Sequence, residues 1–158
     1  MRITEQHVWN FLFLVLFVSF IILGDALLAS YSYRSILYVD LFDITLITLA
    51  SFRFIRLVIY DKIFAFFRDQ FWNASVVDGE VVLTKPSGGP RRTLADLLSC
   101  PWCFGIWAAA TVTFFYFLTP YAFFPILFMA IAGIASLLQL LSNLIGWHAE
   151  KAKKSVEG

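Results

Sequence analysis

The stretch from Leu97 to Ala149, LLSCPWCFGIWAAATVTFFYFLTPYAFFPILFMAIAGIASLLQLLSNLIGWHA, decides the fold because it contains no Asp, Glu, Lys or Arg. One membrane-spanning helix takes about 20 apolar residues, so this stretch is too long for a single span. Pro120 interrupts its middle. The pattern predicts two spanning helices, Pro101–Leu118 and Pro125–Trp147, joined by a tight turn. Each begins with a proline, which the first turn of a helix tolerates.

The composition of the whole chain points to a lipid environment. Of its 158 residues, 60% are hydrophobic and 15% are charged, and the mean hydropathy is +0.79. A soluble domain has about 25% charged residues and rarely exposes large apolar patches. The formal net charge of +1 leaves no basic surface in excess, which argues against nucleic acid as a partner. We therefore predict a single all-α membrane domain.

A first spanning helix is predicted near the N-terminus. No charged residue lies between Glu5 and Asp25, and Val8–Gly24 consists mostly of Phe, Leu, Val and Ile. The stretch is too long for the apolar region of a signal peptide, and no A-x-A cleavage site follows it. We therefore expect an uncleaved span.

The apolar run Leu37–Tyr60 predicts another span, although charged residues lie near both of its ends. A helix can cross here if its aspartates lie at one interface and its arginines extend toward the other. We expect this helix to continue through Asp61–Phe71 as an amphipathic segment on the membrane surface. The prediction is thus four transmembrane helices and an interfacial helix. The charged residues of the run are Asp40, Asp43, Arg53 and Arg56.

A small cytoplasmic loop, residues 73–92, separates this segment from the third span. The Asp-Gly pair at positions 78–79 lies between β-branched residues, which predicts a hairpin. Thr93 and Asp96 have the spacing of a capping box and predict a short helix, Leu94–Ser99.

The distribution of basic residues predicts the orientation. With the N-terminus inside, only Arg34 lies on the outer side, which follows the positive-inside rule. Both termini are then cytoplasmic, and residues 148–158 form a basic tail. Residues 46–147 form the membrane core, and residues 1–45 add one span and an outer loop. The basic residues on the inner side are Arg2, Arg53, Arg56, Lys62, Arg68, Lys85, Arg91, Arg92, Lys151, Lys153 and Lys154.

The third and fourth spans carry small and polar residues at helical spacing. Gly105, Ala109 and Thr113 share one face of the third span. An amide facing lipid is costly, so we predict that Gln139 and Asn143 face the third span as interhelical contacts. The alternative is a polar lining for a small conduit formed by oligomerisation. The seam of the fourth span consists of Pro125, Met129, Ala132, Ser136, Gln139 and Asn143.

Cys100 and Cys103 form a C-x-x-C pair at the start of the third span, and three interpretations of the pair are open. In the first, they are small buried residues at a crowded helix start. In the second, they bind zinc, which takes about four ligands, so His148 or the pair of a second copy has to contribute. In the third, they form a redox pair, because a helix N-terminus favours the thiolate.

Arg53 and Arg56 lie three residues apart near the inner end of the second span, where an unpaired arginine is costly. We expect a structural ion-pair cluster at the cytoplasmic interface. The alternative is a site for an anionic lipid headgroup or phosphate. The carboxylates available on this side are Asp61, Asp69 and Asp96.

Three aspartates collect toward the outer side. Asp25 ends the first apolar stretch and is interpreted as a marker of the membrane boundary. A cation or proton site formed together with Asp40 and Asp43 is the alternative.

Two motifs stand at the inner ends of the second and third spans. They are R-x-x-R-L-x-x-x-D at residues 53–61 and S-C-x-x-C-x-G-x-W at residues 99–107. Across about Leu46–Leu144 the chain resembles the bacterial domain-of-unknown-function 1360 family of small membrane proteins. The resemblance implies a bacterial inner-membrane protein, with an extra span before this region and no established activity. It marks Arg53, Arg56, Asp61, Cys100, Cys103, Gly105 and Trp107 as one joint site at the cytoplasmic face.

Three hypotheses for function follow. The first is a non-enzymatic membrane protein with an architectural Arg/Asp/CxxC cluster, which associates with itself or with a partner membrane protein. The second is a thiol-redox or zinc-binding membrane protein that uses Cys100 and Cys103. The third is a small oligomeric conduit around the polar seam. No Gly-rich phosphate loop, Ser/His/Asp arrangement or His-Glu-x-x-His motif is present, which favours a non-enzyme.

Overall fold

The computed structural model describes residues 5–34, 38–77 and 80–157, of which residues 76, 77, 80, 81 and 155–157 are described by their backbone alone. Within them the chain is mostly helical and has one two-stranded hairpin. The helices are α1 (Glu5–Tyr31), α2 (Leu41–Ile59), α3 (Ala65–Asp69), α4 (Pro90–Ser99), α5 (Pro101–Leu118) and α6 (Phe123–Glu157). The strands are β1 (Asn73–Val77) and β2 (Glu80–Thr84), and short 3-10 turns lie at Lys62–Phe64 and Pro120–Ala122.

Three helical segments of the described chain are long and apolar enough to cross a membrane by length and composition. They are α1, α5 and Pro120–Lys154. The bounds of α5 are those predicted for the third span. The 19-residue α2 is not among the three, because Asp43, Arg53 and Arg56 interrupt its apolar sequence.

α2 lies at the centre of the helical bundle. It packs against both α5 and α6, whereas α1 packs against α5. Its side chains Leu46 and Ala50 are buried in a core shared with Tyr116 of α5 and Ile126 of α6. α2, whose apolar sequence contains three charged residues, thus lies between two of the other long helices. Polar residues of membrane proteins usually take this position.

The prediction that the fourth span faces the third is wrong, because α6 packs against α2. A Cβ atom at Gly133 would lie 2.5 Å from the carbonyl oxygen of Leu49, so the two backbones are in close contact there. Gly133 has no side chain, and this permits the close approach of the two backbones. Gln139 and Asn143 of the predicted seam carry side chains and do not permit it. Residues 137–154 are all exposed beyond the contact, and Gln139 and Asn143 are among them.

One end of the bundle is closed by Arg34, Asp43 and Tyr116, which we call the outer cluster after the orientation predicted from the sequence. Arg34 Nη1 donates hydrogen bonds to Asp43 Oδ1 at 3.2 Å and to Tyr116 Oη at 2.6 Å. The Tyr116 hydroxyl donates to the same carboxylate oxygen. The guanidinium carbon also lies 5.5 Å from the ring centroid of Phe123. The cluster therefore joins the loop after α1 to α2, α5 and α6.

The segment after α2 is not the continuous helix that was predicted. α2 ends at Ile59, and Asp61 is extended, with φ −74° and ψ 141°, before the 3-10 turn and the short α3. Arg68 Nη1 donates to the carbonyl oxygens of Val58 at 2.7 Å and Asp61 at 3.0 Å. The guanidinium thus binds the Val58 carbonyl in the last turn of α2 and the Asp61 carbonyl beyond it, which stabilises the break.

The predicted hairpin is confirmed in the described residues. β1 and β2 pair antiparallel, with Asn73 opposite Thr84 and Val77 opposite Glu80. The Asp-Gly turn predicted at 78–79 lies outside the described residues.

The capping box predicted at Thr93 is wrong, because α4 begins earlier, at Pro90. Gly89 precedes it with φ +87°, a conformation that glycine adopts without strain, and proline is favoured at the first helical position. Thr93 is 8% exposed inside the helix. Its hydroxyl donates to Asn10 Oδ1 at 3.0 Å and accepts from Gln6 Nε2 at 2.8 Å, which attaches α4 to α1.

Candidate functional site

An ion pair between Arg53 and Asp61 lies at the C-terminal end of α2. Arg53 Nη2 lies 2.9 Å from Asp61 Oδ2, and the two side chains are 23% and 29% exposed. The extended backbone at Asp61 separates it from α2, and Arg68 holds that backbone in place. Because both charges are largely shielded from solvent, each needs the other as its partner.

Arg56 takes a different position from Arg53. Its guanidinium carbon lies 5.4 Å from the ring centroid of Tyr60, a cation–π arrangement. None of the ion pairs in the described part of the chain includes it.

A second polar group surrounds Asp96 on α4. Lys85 Nζ lies 2.7 Å from Asp96 Oδ1, and Arg92 Nε lies 3.0 Å from Oδ2. Burial raises the pKa of Asp96, but the hydrogen bonds from Lys85 and Arg92 outweigh burial and leave the pKa below its usual value. Asp96 therefore forms ion pairs with Lys85 of the loop and with Arg92 of its own helix, and not with the arginines of α2. Sequence reasoning missed Arg92, although its i, i+4 spacing to Asp96 was a usable signal.

The two cysteines lie at the bend between α4 and α5. Cys100 is the N-cap of α5, and the Cys103 N–H donates to its Sγ at 3.2 Å. Both thiols are free. Hydrogen bonds from the side chain and backbone of Cys103 lower the pKa of Cys100.

A metal or redox role for the cysteines stays a prediction. The described residues contain no group of three or more His, Cys, Asp or Glu side chains placed to hold a metal ion. His148, the additional ligand considered for zinc, contacts the ring of Trp147 on α6, with the ring centroids 5.0 Å apart.

Gly105 and Trp107 of the second motif lie at helix contacts. A Cβ atom at Gly105 would lie 3.5 Å from the Ile55 side chain of α2. The ring centroid of Trp107 lies 4.8 Å from that of Phe17 and 6.3 Å from that of Phe20, both on α1. These two motif positions hold α5 against α2 and α1.

The joint site implied by the resemblance is therefore divided into three parts. They are the Arg53–Asp61 pair, the cysteines at the bend between α4 and α5, and the packing contacts of Gly105 and Trp107. Arg56 lies against Tyr60, outside all three. A groove of about 490 Å³ between α1, α4 and α5 is lined by Asp96, Cys103 and Trp107, so it connects the second part with the third.

The residues predicted as helix-packing contacts form no described hydrogen bonds between helices. Ala109 is exposed and borders a groove between α1 and α5. The Ser136 hydroxyl donates to the Ala132 carbonyl of its own helix at 2.8 Å. Gln139 Nε2 donates to Asn143 Oδ1 at 3.0 Å, one turn further along the same helix.

Alkylation rates should distinguish Cys100 from an ordinary thiol. We expect iodoacetamide to modify Cys100 at a lower pH than an unperturbed cysteine, whose pKa is about 8.5, because the thiolate is the reactive form. Cys103→Ala removes the side-chain hydrogen bond and should move the alkylation profile of Cys100 to higher pH. Mass spectrometry of the digested protein measures both profiles.

A suitable control for the alkylation profile is Ser99→Ala. The Ser99 hydroxyl donates to the Ala95 carbonyl and not to the thiol pair, so this variant should keep the wild-type profile of Cys100. An unchanged profile in Cys103→Ala would contradict the assigned cause.

The similarity to known proteins covers both sequence motifs and most of the bundle. The profile of the family described as a protein of unknown function, DUF1360, matches residues 46–142. The chain is 36% identical to the sporulation protein YjcA of Bacillus subtilis over 104 residues, which are 62% of this chain and 88% of YjcA. It is 30% identical to the UPF0713 protein YngL of the same organism over 95 residues, which are 60% of this chain and 73% of YngL. No solved structure matches the chain.

The match confirms the resemblance that the two motifs indicated. The matched region runs from α2 to α6 and contains the Arg53–Asp61 pair, the Asp96 group and both cysteines. α1 precedes that region and packs on α4 and α5. The chain belongs to the DUF1360 family of proteins of unknown function.

Proposed function

We propose that this chain is a non-enzymatic, four-span protein of the bacterial inner membrane that works as an assembly of two copies. In this proposal the copies associate through the inner half of α6, and the Arg/Asp/CxxC residues are architectural. The support comes from the connectivity of the helices, the distribution of charge and one pair of exposed amides.

The connectivity supports α2 as the fourth span. The end of α5 lies beside the loop that follows α1, since the Phe117 carbonyl accepts the N–H of Arg34 at 3.4 Å. α2 begins at this same end, where Asp43 belongs to the outer cluster, and it leads to the loop that reaches the start of α5. Its 19 residues extend about 28 Å, close to the hydrocarbon thickness of about 30 Å.

The distribution of charge supports cytoplasmic termini. Arg34 is the only basic residue at the described outer end, and the basic residues of the loop and of the α6 tail lie at the opposite end. The segment after α2 exposes Ile63 and Phe66 beside Lys62, a composition suited to the surface of the inner leaflet. A reporter fused after Gly158 should face the cytoplasm, and an exterior reporter would contradict this topology.

The exposed amide pair on α6 carries the proposal of association. Gln139 Nε2 donates to Asn143 Oδ1, and no described group binds Gln139 Oε1 or Asn143 Nδ2. These groups would face acyl chains, because the exposed side chains around them are apolar. An amide is both donor and acceptor, so the same pair on a two-fold related copy satisfies the free groups. The apolar neighbours are Leu137, Leu138, Leu140, Leu141, Leu144 and Ile145.

Energy transfer between labelled copies tests the association. With donor and acceptor fluorescent proteins fused after Gly158, the wild-type chain should show transfer in liposomes that increases with protein density. The double variant Gln139→Leu with Asn143→Leu should need about tenfold higher density, since each interhelical hydrogen bond contributes about 0.6–2 kcal/mol.

Leu138→Ala is the matched control for the amide variant. Leu138 is next to Gln139 and 59% exposed but carries no polar group, so its truncation should leave energy transfer nearly unchanged. Absence of transfer in the wild-type chain, or transfer that survives the loss of both amides, would contradict the assembly. Transfer restored only by a second membrane protein would point to that protein as the partner.

A further inference from the structure

A groove of about 300 Å³ runs between α1 and α5. Asp25 and Gly24 of α1 and Ala109 and Thr113 of α5 line it. Gly24 is buried against Phe114, whereas Ala109 is small and exposed, so another helix can approach the α5 backbone closely there. The groove is otherwise apolar except for the Asp25 carboxylate and the Thr113 hydroxyl.

In the proposed topology the ends of α1 and α5 lie at the outer membrane surface, so Asp25 lies below this surface and does not mark it, in contrast to the interpretation from the sequence. It precedes Tyr31, the last residue of α1, by about 9 Å along the helix axis. Thr113, which lines the same groove, precedes Leu118 at the end of α5 by about 8 Å. An aspartate side chain is too short to reach the headgroups over this distance, so its charge needs a partner inside the membrane.

The described part of this chain does not supply that partner. None of its ion pairs includes Asp25, which is exposed. Arg34, the basic residue of the outer end, already binds Asp43 and Tyr116. A second copy in the same orientation offers only the same arginine, which its own Asp43 and Tyr116 already bind.

We propose that this groove binds a transmembrane helix of a different protein, which carries a lysine or arginine about 8 Å below the outer surface. The cation pairs with Asp25 and donates a further hydrogen bond to the Thr113 hydroxyl oxygen. Charge complementarity selects this occupant over a lipid acyl chain, which would leave the carboxylate unpaired. The proposal goes beyond self-association, because it uses α1 and α5 where the association uses α6.

Three synthetic leucine-alanine helices test the proposal with the full-length chain in liposomes. They span the bilayer and differ only at one position, about six residues from one end, which is lysine, leucine or glutamate. Energy transfer runs from a donor fused after Gly158 to an acceptor on the peptide. We expect the lysine peptide to reach half-maximal transfer at about tenfold lower density than the leucine peptide, with glutamate no better than leucine.

Two variants of the chain complete the test. Asp25→Asn, which conserves shape, should remove the preference for lysine, whereas Glu150→Gln in the α6 tail should keep it. Circular dichroism of both variants confirms that the fold is retained. Equal transfer from the lysine and leucine peptides, or a lysine preference that survives Asp25→Asn, overturns the proposal. Transfer between copies of the chain, measured in the same liposomes, reports on self-association separately.

Discussion

Gly133→Ala should destabilise the bundle by about 2–3 kcal/mol, although alanine is a better helix former than glycine by about 1 kcal/mol. The added Cβ atom would lie 2.5 Å from the Leu49 carbonyl oxygen and 3.5 Å from the Cβ of Arg53. The first of these neighbours is backbone and cannot rotate away, so α2 and α6 have to separate. Unfolding in mixed detergent micelles of increasing SDS content, followed by circular dichroism, measures the change.

Gly146→Ala is the matched control for this substitution. It places the same methyl group on the same helix, but a Cβ atom at Gly146 meets no described heavy atom within 4 Å. The helix propensity of alanine then acts alone, and we expect stability to stay the same or to rise by up to about 1 kcal/mol. Equal stability of the two variants would mean that Gly133 does not set the distance between α2 and α6.

Asp43→Asn should have the second largest effect, a loss of about 2 kcal/mol of stability. The substitution keeps the shape of the side chain but leaves the Arg34 guanidinium without its carboxylate, and removing one partner of a shielded pair is strongly destabilising. Partial hydration of Arg34, whose side chain is 39% exposed, keeps the loss below that of a fully buried pair. The same SDS unfolding experiment measures it.

Asp40→Asn tests whether the position of the carboxylate matters. Asp40 is the exposed N-cap of α2, and asparagine caps a helix as well as aspartate does, so this variant should be nearly neutral. Similar losses in Asp40→Asn and Asp43→Asn would show that the outer cluster contributes no more than an ordinary surface charge.

The bounds of the third span were predictable because local chemistry sets them. Pro101 favours the first turn of a helix, and Pro120 cannot continue one, so the intervening charge-free run has defined ends. The break after α2 was not predictable in this way. The break depends on a hydrogen bond from the Arg68 guanidinium to the Val58 carbonyl, ten positions earlier in the chain. Hydrophobic periodicity does not predict such a contact.

The partner of α6 was predicted incorrectly for a similar reason. The regular spacing of Gln139 and Asn143 with Ser136 indicated a packing seam, but the contact with α2 depends on the missing side chain at Gly133. A glycine within a long apolar helix is a weak signal by itself, and its meaning depends on which backbone lies opposite.

The sequence predicted which residues belong to the candidate site but not how these residues are arranged in space. The motifs marked Arg53 and Asp61, which form an ion pair, together with Gly105 and Trp107, which pack between helices. Tyr116 of the outer cluster had no sequence signal beyond being a tyrosine in an apolar span. Its partners come from a different helix and a loop, and only the assembled bundle places them together.

The 35 residues of α6 extend about 52 Å, well beyond the thickness of a bilayer. No turn or proline separates the membrane part of this helix from the tail that carries Lys151, Lys153 and Lys154. Any rotation of the span about its own axis is therefore transmitted to the cytoplasmic part at the same angle. The three lysine ammonium groups therefore turn together with the membrane-spanning part of the helix, and the direction in which they point follows its rotation.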